Sequence, residues 1–268
     1  MPQESSESAS AMVKLACRGD HAVLVIDQPA KRNALSMPVM SELVRHIKRL
    51  TSSKTARSIV ITGAGDKVFA SGADLTELPD ALKSPTSAQS YDAQASELYI
   101  AIRTAPIPVI ARMNGHAIGA GLLLALACDF RVAAKHIKVG LPSGRIGLML
   151  SETEHRILAS TLSNKVSKLL TLTGRIYQAD AAMDLGLVDH VVPGSELDSV
   201  VAAFEDDIAK CAPYALGAAK SILNAMFYSD PALAQKVQDA YTTIYSSADL
   251  REGLSAALEK RSPVFSWK

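Results

Sequence analysis

The stretch "NGHAIGAGLLLALACDF", from Asn114 to Phe130, decides the fold predicted for this chain. Three of the four positions from Ile118 to Gly121 carry almost no side chain, and an apolar run without ionisable groups follows. The period of that run predicts a helix, whereas "PVIARMNG" (108–115) before it and "DFRVAA" (129–134) and "IKVGLP" (137–142) after it predict strands. Strands that alternate with a helix across short loops predict an α/β fold.

The chain before this stretch continues the same alternation. "HAVLVIDQP" (His21–Pro29) and "ARSIVITGAG" (Ala56–Gly65) predict strands, because β-branched residues are followed in both by turn residues. Apolar residues between them recur on one face of a helix, with Ser36 as its cap and Pro38 in its first turn. From about Ser151 the apolar spacing is mostly helical.

Length and composition set the domain organisation and exclude several classes of partner. The strand and helix patterns described above divide the 268 residues into a disordered tail over residues 1–11, a core over residues 12–200 and a C-terminal helical subdomain over residues 201–268. The 28 Lys and Arg residues balance 27 Asp and Glu residues, which argues against nucleic acid and anionic membrane surfaces as partners. No apolar run reaches the roughly 20 residues that a membrane-spanning helix needs.

Cysteine usage and the first residues indicate the compartment. Cys17, Cys128 and Cys211 are far apart and odd in number, which is typical of a reducing compartment and predicts neither a disulfide framework nor a zinc site. The start "MPQESSESASAM" has acid and serine where a signal peptide carries basic residues and an apolar core. We therefore expect a cytoplasmic protein without a bound metal.

Two loops present backbone N–H groups that could bind an anionic oxygen. "FASGADLTEL" (Phe69–Leu78) contains a glycine-bearing loop after a strand that ends at Gly63, and a helix is expected after Asp74. Gly119–Gly121 precede the apolar helix, whose dipole favours negative charge at its first turn. The alternative is structural in both places: Asp74 would cap a helix, and the small residues would let a helix pack closely on the sheet.

Five segments, taken in order, resemble the crotonase superfamily, the enoyl-CoA hydratase/isomerase family. They are "KRNAL" (31–35), "GADL" (72–75), "NGHAIGAG" (114–121), "LTGRIYQADAAMDLGLVDHVV" (172–192) and "EGLSAALEKRSPVF" (252–265). The resemblance extends from about Met12 to the C-terminus. It implies a spiral of ββα units, followed by helices that assemble the chain into a homotrimer or a dimer of trimers.

The resemblance also implies an acyl-CoA thioester as substrate, with CoA as part of that substrate and no separate cofactor. Two backbone N–H groups hold the thioester oxygen in the family, and their positions here are Ala73 and Ala120. For Lys31 and Arg32, whose cations could pair with phosphates, the alternative is two exposed charges beside a turn. The residues expected to contact CoA are Lys31, Arg32, Ala34, Ser71, Ala73, Asp74 and Leu75.

The resemblance breaks down at the residues that would move protons. The two glutamates of the family's hydratases fall on Leu123 and Ser143 in this chain. Leucine has no proton to give, and a serine hydroxyl needs a base of its own. Hydration needs one group to activate water and another to protonate carbon, so we predict that this protein is not an ordinary hydratase. The isomerase branch keeps the second glutamate, so its absence at Ser143 argues against that reading as well.

Other side chains are candidates for proton transfer. Glu152 lies one residue from a catalytic acid of some relatives and is the favoured acid or base, the alternative being a charge that suits the helix dipole. Ser151 and Glu154 have the spacing of a capping box, which assigns Glu154 to capping. His116 titrates near neutrality and is a second candidate, with packing beside the CoA arm as the alternative. Ser143 could hydrogen-bond the substrate.

Three hypotheses of function follow. In the first, the protein is an enzyme that stabilises a thioester enolate, in double-bond isomerisation, decarboxylation or C–C hydrolysis. In the second, it binds acyl-CoA without turnover, because both glutamates are missing. In the third, it is an ordinary enoyl-CoA hydratase, which would add water to crotonyl-CoA. The acyl group is not specified by the sequence, and residues 79–99 are expected to line its pocket.

Overall fold

The computed structural model describes residues 11–227 and 231–266, so the tail predicted over residues 1–11 lies outside the described residues except for its last position. The strands are β1 (Val13–Arg18), β2 (His21–Ile26), β3 (Ser58–Gly63), β4 (Val68–Ala70), β5 (Val109–Met113), β6 (His116–Ile118), β7 (Phe130–Ala134), β8 (Lys138–Gly140), β9 (Ile176–Gln178) and β10 (His190–Val192). They form two sheets, the first in the order β1-β2-β3-β5-β7-β10 and the second in the order β4-β6-β8-β9.

Both sheets are parallel except at one edge. In the first sheet only β1 is antiparallel to its neighbour, and in the second only β9 is. The parallel strands of the first sheet are almost continuous apolar runs, and every residue of β3 is buried, as expected for a sheet covered on both faces. The strands predicted from the sequence are confirmed.

The described part of the chain contains eleven helices. They are α1 (Met37–Ser53), α2 (Leu78–Ala81), α3 (Pro85–Thr104), α4 (Ala120–Ala127), α5 (Glu152–Thr161), α6 (Asn164–Thr173), α7 (Ala179–Asp184), α8 (Leu197–Ala209), α9 (Pro213–Phe227), α10 (Leu233–Ser246) and α11 (Ala248–Glu259). Ser36 caps α1 by accepting a hydrogen bond from Val39 N, and Pro38 lies in the first turn, as predicted. None of the described helices is long and apolar enough to cross a membrane.

The apolar run in the opening stretch is α4, and it lies inside the core. Every residue from Gly121 to Ala127 is buried, and the helix packs between α3, α5 and strands of both sheets. A helix that is apolar on all sides is stable only when it is covered on all sides. Its burial therefore explains why it carries no ionisable residue.

Candidate active site

Three loops meet at one edge of the second sheet. Residues 71–74 follow β4, residues 119–121 follow β6, and residues 141–143 follow β8. These three strands are neighbours and parallel, so their carboxyl ends lie at the same edge. Gly119 N donates a hydrogen bond of 2.9 Å to Gly140 O, which joins the second loop to the end of β8.

The first two loops touch each other. A Cβ atom built on Gly72 would lie 2.7 Å from Ile118 O and 3.3 Å from Ala120 N. Gly72 also has a φ of +99°, which favours glycine. Ala73 and Ala120 are both half-buried. Among the hydrogen bonds of the described residues, neither amide N–H has an acceptor, so the structure brings together two unpaired donors.

The loop of small residues, Gly119–Gly121, has a packing role as well. Gly119 has a φ of 59°, and a Cβ atom on Gly121 would lie 2.0 Å from Ala70 O of β4. Side chains at these two positions would therefore strain the turn or push α4 away from the sheet. The close helix–sheet contact considered from the sequence is present, and it occurs beside the unpaired amides.

The "KRNAL" loop supports the loop after β4. Leu35 N donates to Gly72 O at 2.8 Å, and Ser71 N donates to Arg32 O at 3.2 Å. Lys31 Nζ forms an ion pair with Asp74 at 3.0 Å. This lysine is therefore engaged within the protein, whereas the predicted role was a contact with CoA. Ala34, another predicted contact, is buried beneath the loop.

Asp74 does not cap a helix, which was the structural alternative considered for this residue. Its side chain accepts hydrogen bonds from Thr76 N and Thr76 Oγ1, and the next helix begins only at Leu78. Hydrogen bonds from Thr76 and Lys31 hold the pKa of Asp74 below its usual value. Asp74 is thus an anion that fixes the turn after Ala73. Leu75, which follows it, is 68% exposed.

The two positions matched to the family's glutamates have different surroundings. Leu123 is 1% exposed and lies on α4 within the core. Ser143 is half-buried and begins a 3-10 turn that ends at Ile146, with its carbonyl accepting from Leu148 N at 3.0 Å. Ser143 is therefore at the same sheet edge as the two amides, whereas Leu123 can supply only apolar contact.

The surroundings of His116 do not suit a general base. Its Nδ1 accepts a hydrogen bond of 3.0 Å from Lys138 N, so that nitrogen is already occupied. Burial, followed by the charges of His136 and Lys138, lowers the pKa of His116. It also begins β6, whereas Ala120 follows the end of that strand, about 10 Å further along. The geometry therefore does not support this candidate.

Glu152, the favoured acid or base, is the first residue of α5 and lies in solvent. Its side chain is 79% exposed. Oε1 accepts hydrogen bonds from Nε and Nη2 of Arg156, one turn along the helix, at 2.9 and 2.7 Å. This is the pairing expected of a surface carboxylate on a helix. The structure therefore disfavours Glu152 as the proton-transfer residue.

The capping box predicted at α5 is confirmed. Ser151 N donates to Glu154 Oε2 at 2.8 Å, and Glu154 N donates to Ser151 Oγ at 3.3 Å. Glu154 is nevertheless half-buried. Burial raises its pKa, and the hydrogen bonds from Ser151 offset only part of that effect.

Two tyrosines on α3 were not identified from the sequence. Tyr91 and Tyr99 are buried on one face of that helix, two turns apart. Burial, followed by the charges of Glu77 and Glu154, raises the pKa of Tyr91 to about 12. Their spacing of eight residues is the signal that could have found them, because it places both on the same helical face.

Two cavities flank the loop after β4. One, of about 490 Å³, lies between this loop and α3 and is lined by Met37, Thr76, Glu77, Ser90 and Tyr91. The other, of about 380 Å³, is apolar and is lined by Leu75, Leu78, Leu82, Ile146 and Leu148. Within the part of the chain that is described, no group of three or more His, Cys, Asp or Glu side chains could hold a metal ion.

The sequence model of enoyl-CoA hydratase/isomerase matches residues 19–268. The chain belongs to this family. Crotonyl-CoA hydratase of Syntrophomonas wolfei is a relative that is 31% identical over 245 residues, which cover 91% of this chain and 94% of the relative. The 2,3-dehydroadipyl-CoA hydratase of Escherichia coli is likewise 31% identical over 245 residues, with the same coverage.

Solved structures of the family share the whole fold. An enoyl-CoA hydratase/carnitine racemase from Magnetospirillum magneticum superposes with a TM-score of 0.91 at 30% identity, covering 97% of each chain. An enoyl-CoA hydratase from Bacillus anthracis gives a TM-score of 0.88 at 28% identity and covers 96% of this chain and all of the other. The crotonase-like α/β fold expected from the sequence is confirmed.

Proposed function

We propose that the protein binds an acyl-CoA thioester with its carbonyl oxygen between the N–H groups of Ala73 and Ala120. The observation that carries this proposal is the contact between their two loops, with neither amide paired among the described residues. Two aimed donors stabilise negative charge as it develops on the oxygen. The loss of one such donor costs about 3 kcal/mol of transition-state stabilisation.

The apolar cavity next to Leu75 suits a hydrocarbon acyl group. It lies between the segment that follows Asp74 and residues 146–148, which follow Ser143 along the chain. Leu75 and Ile146 are 68% and 65% exposed at its rim. An acyl chain laid across them would remove this surface from water.

The reaction that we propose is the formation of a thioester enolate, as in double-bond isomerisation, decarboxylation or C–C hydrolysis, rather than hydration. The positions matched to the hydratase glutamates hold Leu123 and Ser143, and neither can activate water or protonate carbon. Isomerisation and decarboxylation need the two N–H donors and a single proton-transfer group, whereas C–C hydrolysis would also need an activated water. CoA is part of the substrate, and the proposal needs no other cofactor.

Substitutions at Ala120 test the proposal directly. Ala120 is the first residue of α4, a position where proline is accepted but lacks an N–H group. Ala120→Pro should therefore keep the helix and lower turnover of an accepted acyl-CoA by about 10²–10³-fold. Ala120→Gly keeps the N–H and should stay close to wild type. Equal turnover of the two variants would refute the proposed role of this amide.

Ordinary hydration is the second candidate, because both relatives described above are named hydratases. Water addition to crotonyl-CoA, followed by loss of absorbance of the enoyl thioester, distinguishes the two functions. We expect this rate to be very low. Tight binding of acyl-CoA thioesters in calorimetry, without any product from a broad panel, would instead favour a binding protein without turnover.

A further inference from the structure

A distant loop orients the peptide unit that carries the Ala73 N–H group. The carbonyl of Gly72 and the N–H of Ala73 belong to one peptide unit, and in a planar trans peptide these two groups point in opposite directions. Leu35 N donates a hydrogen bond of 2.8 Å to Gly72 O, and Leu35 and Ala73 form an isolated parallel bridge. The hydrogen bond from Leu35 therefore turns the Ala73 N–H away from Leu35 and leaves it unpaired.

The Ala120 N–H group is oriented by its own helix. Gly119 O accepts hydrogen bonds from Leu122 N at 3.0 Å and from Leu123 N at 3.2 Å, so the first turn of α4 fixes the peptide unit that joins Gly119 to Ala120. Ala73 has no such turn, because the next helix begins only at Leu78. Of the two donors, Ala73 therefore depends on a distant segment for its direction.

Asn33 joins this distant segment, the β2–α1 loop (residues 27–36), to the start of β4. The residue is 1% exposed. Its Nδ2 donates to Val68 O at 2.7 Å and to Ala64 O at 3.0 Å, and its Oδ1 accepts from Gln28 N at 3.1 Å. A Cβ atom on Gly63 would lie only 2.6 Å from Nδ2, so the amide fits against a residue without a side chain. Both amide N–H groups are thus used to hold the β2–α1 loop in place.

The residue type at position 33 fits this arrangement for two reasons. Its φ is +51°, in the left-handed region that asparagine adopts more readily than most residues. Its amide supplies two N–H donors, which glycine lacks. The other described non-glycine residues with positive φ each follow a helix directly and are Arg32, Lys54 and Lys260. Asn33 does not follow a helix directly, and left-handed residues that the surrounding structure holds in place concentrate at functional sites.

The contacts of the β2–α1 loop follow the chain into Ala73. The loop donates to Val68 O from Asn33 and to Gly72 O from Leu35, and it accepts from Ser71 N. The segment that leads to the Ala73 N–H is therefore held at three positions, and a change at Asn33 removes the first of them.

We propose that Asn33 is a positioning residue for the Ala73 donor. Through the β2–α1 loop it fixes the peptide unit between Gly72 and Ala73, so that the N–H meets the thioester oxygen. This inference rests on the proposed function. Asn33 itself touches neither amide, so its loss should leave both donors present and one of them misaligned.

The experiment reads the alignment of the donors from the substrate carbonyl. The probe is hexanoyl-CoA labelled with ¹³C at the thioester carbonyl, and difference infrared spectroscopy reports the stretching frequency of the bound carbonyl. Hydrogen bonds to the oxygen weaken the C=O bond and lower this frequency. The measurement does not depend on which reaction the enzyme catalyses.

Two variants separate positioning from general loss of stability. Asn33→Gly keeps the left-handed backbone and removes the amide. Asn224→Ala is the matched control, because Asn224 Nδ2 also donates to a backbone carbonyl, that of Arg103, at 2.8 Å. This control bond joins α9 to the end of α3, away from both loops. The unfolding midpoint in urea is measured for both variants.

We expect the carbonyl frequency of the probe to fall when it binds to the wild type. Asn33→Gly should lose about half of this shift, because one of two donors is misaligned. It should also lower kcat for an accepted acyl-CoA by about 10²-fold, with KM close to wild type. Asn224→Ala should lower the unfolding midpoint and keep the wild-type shift and kcat.

Asn33→Asp takes the place of Asn33→Gly if the glycine variant does not fold. Aspartate has the same shape and accepts from Gln28 N, but its carboxylate cannot donate to Val68 O or Ala64 O. A full wild-type shift in either folded variant would overturn the inference, as would an equal loss in Asn224→Ala.

Ala120→Pro keeps failure of the inference distinct from failure of the proposed function. A reduced shift in Ala120→Pro, together with a full shift in the Asn33 variants, would leave the proposed function standing and overturn only the inference. If the carbonyl frequency does not fall when the wild type binds the probe, both are overturned.

Discussion

At the scale of single residues, a comparison of two glycines with positive φ distinguishes the effect of backbone strain from the effect of a disturbed site. Gly65 has a φ of +81° and open space around its missing Cβ, whereas Gly72 has a φ of +99° and faces Ile118 O and Ala120 N. Alanine at either position adds about 1–2 kcal/mol of backbone strain. Only at Gly72 would the new methyl group also separate the two loops.

We therefore expect Gly72→Ala to lower both the free energy of unfolding and the turnover of acyl-CoA, the latter by about 10²-fold or more. Gly65→Ala should lower only the free energy of unfolding. Urea denaturation and steady-state kinetics on both variants measure these effects. Similar activity of the two variants would show that contact between the loops is not needed for catalysis.

A pH-dependent stability is expected from Glu154. Because burial raises its pKa above 4.5, the folded protein keeps this proton to a higher pH than the unfolded chain does. Its contribution to stability is therefore complete below pH 4.5 and is lost as the pH rises through the folded pKa.

The free energy of unfolding of the wild type, relative to that of Glu154→Gln, should fall between the unfolded and the folded pKa of Glu154. At higher pH this difference should stay constant. Denaturation curves of both proteins, recorded at several pH values from about 4 to 8, give this difference. Parallel pH profiles would mean that the carboxyl titrates in the folded protein as it does in the unfolded chain.

At the scale of elements, a lysine whose side chain is largely buried helps to hold α9 to the core. Lys220 Nζ donates to Asp129 at 2.6 Å and to the carbonyls of Ile102 and Ile107 at 3.1 Å. The Lys220 side chain is only 10% exposed. This contact joins the end of α3, the segment before β5 and the segment before β7 to the C-terminal helices.

Lys220→Met should lower the free energy of unfolding by about 3 kcal/mol, because it leaves Asp129 partly buried without its cation. Lys210→Met is the matched control, since the ion pair of Lys210 with Asp207 lies in solvent and should contribute little. Thermal and urea unfolding of both variants test the difference. Equal unfolding midpoints for the two variants would contradict the assigned role of Lys220.

At the scale of the whole molecule, the C-terminal helices present apolar surface to solvent. No residue of α10 is buried, and Tyr241 and Tyr245 stack on its exposed face. Leu254 and Leu258 of α11 are also exposed, Leu258 by 86%. Several large apolar side chains exposed on neighbouring helices are typical of an interaction surface, and we expect other copies of the chain as its partners.

We expect sedimentation equilibrium to report a homotrimer or a dimer of trimers. Leu258→Glu should shift the population toward smaller species, because it would bury an unpaired charge in the interface. The exposed Leu172 of α6 offers a control outside these helices, and Leu172→Glu should leave the mass unchanged. A monomeric wild type would contradict the assembly that the family resemblance implies.

The α/β class, the main strands, the caps of α1 and α5 and the family could all be predicted from the amino-acid sequence. These features depend on local spacing, which short segments carry on their own. The surroundings of the acidic residues depend instead on contacts between distant segments. Glu152 and Glu154 are two positions apart in the same motif, yet Glu154 is half-buried in its capping box and Glu152 lies in solvent, paired with Arg156.

The same limit applies to the surroundings of Asp74 and Lys31. Lys31 Nζ donates a hydrogen bond to Asp74 Oδ2 although the two residues are 43 positions apart, and no local sequence pattern indicates this contact. The three-residue strands β4 and β6 are also too short to give a periodic signal, although they bring the two amides together. Local physics therefore determined which elements form, and contacts between distant segments decided which side chains are buried, paired or left unpaired.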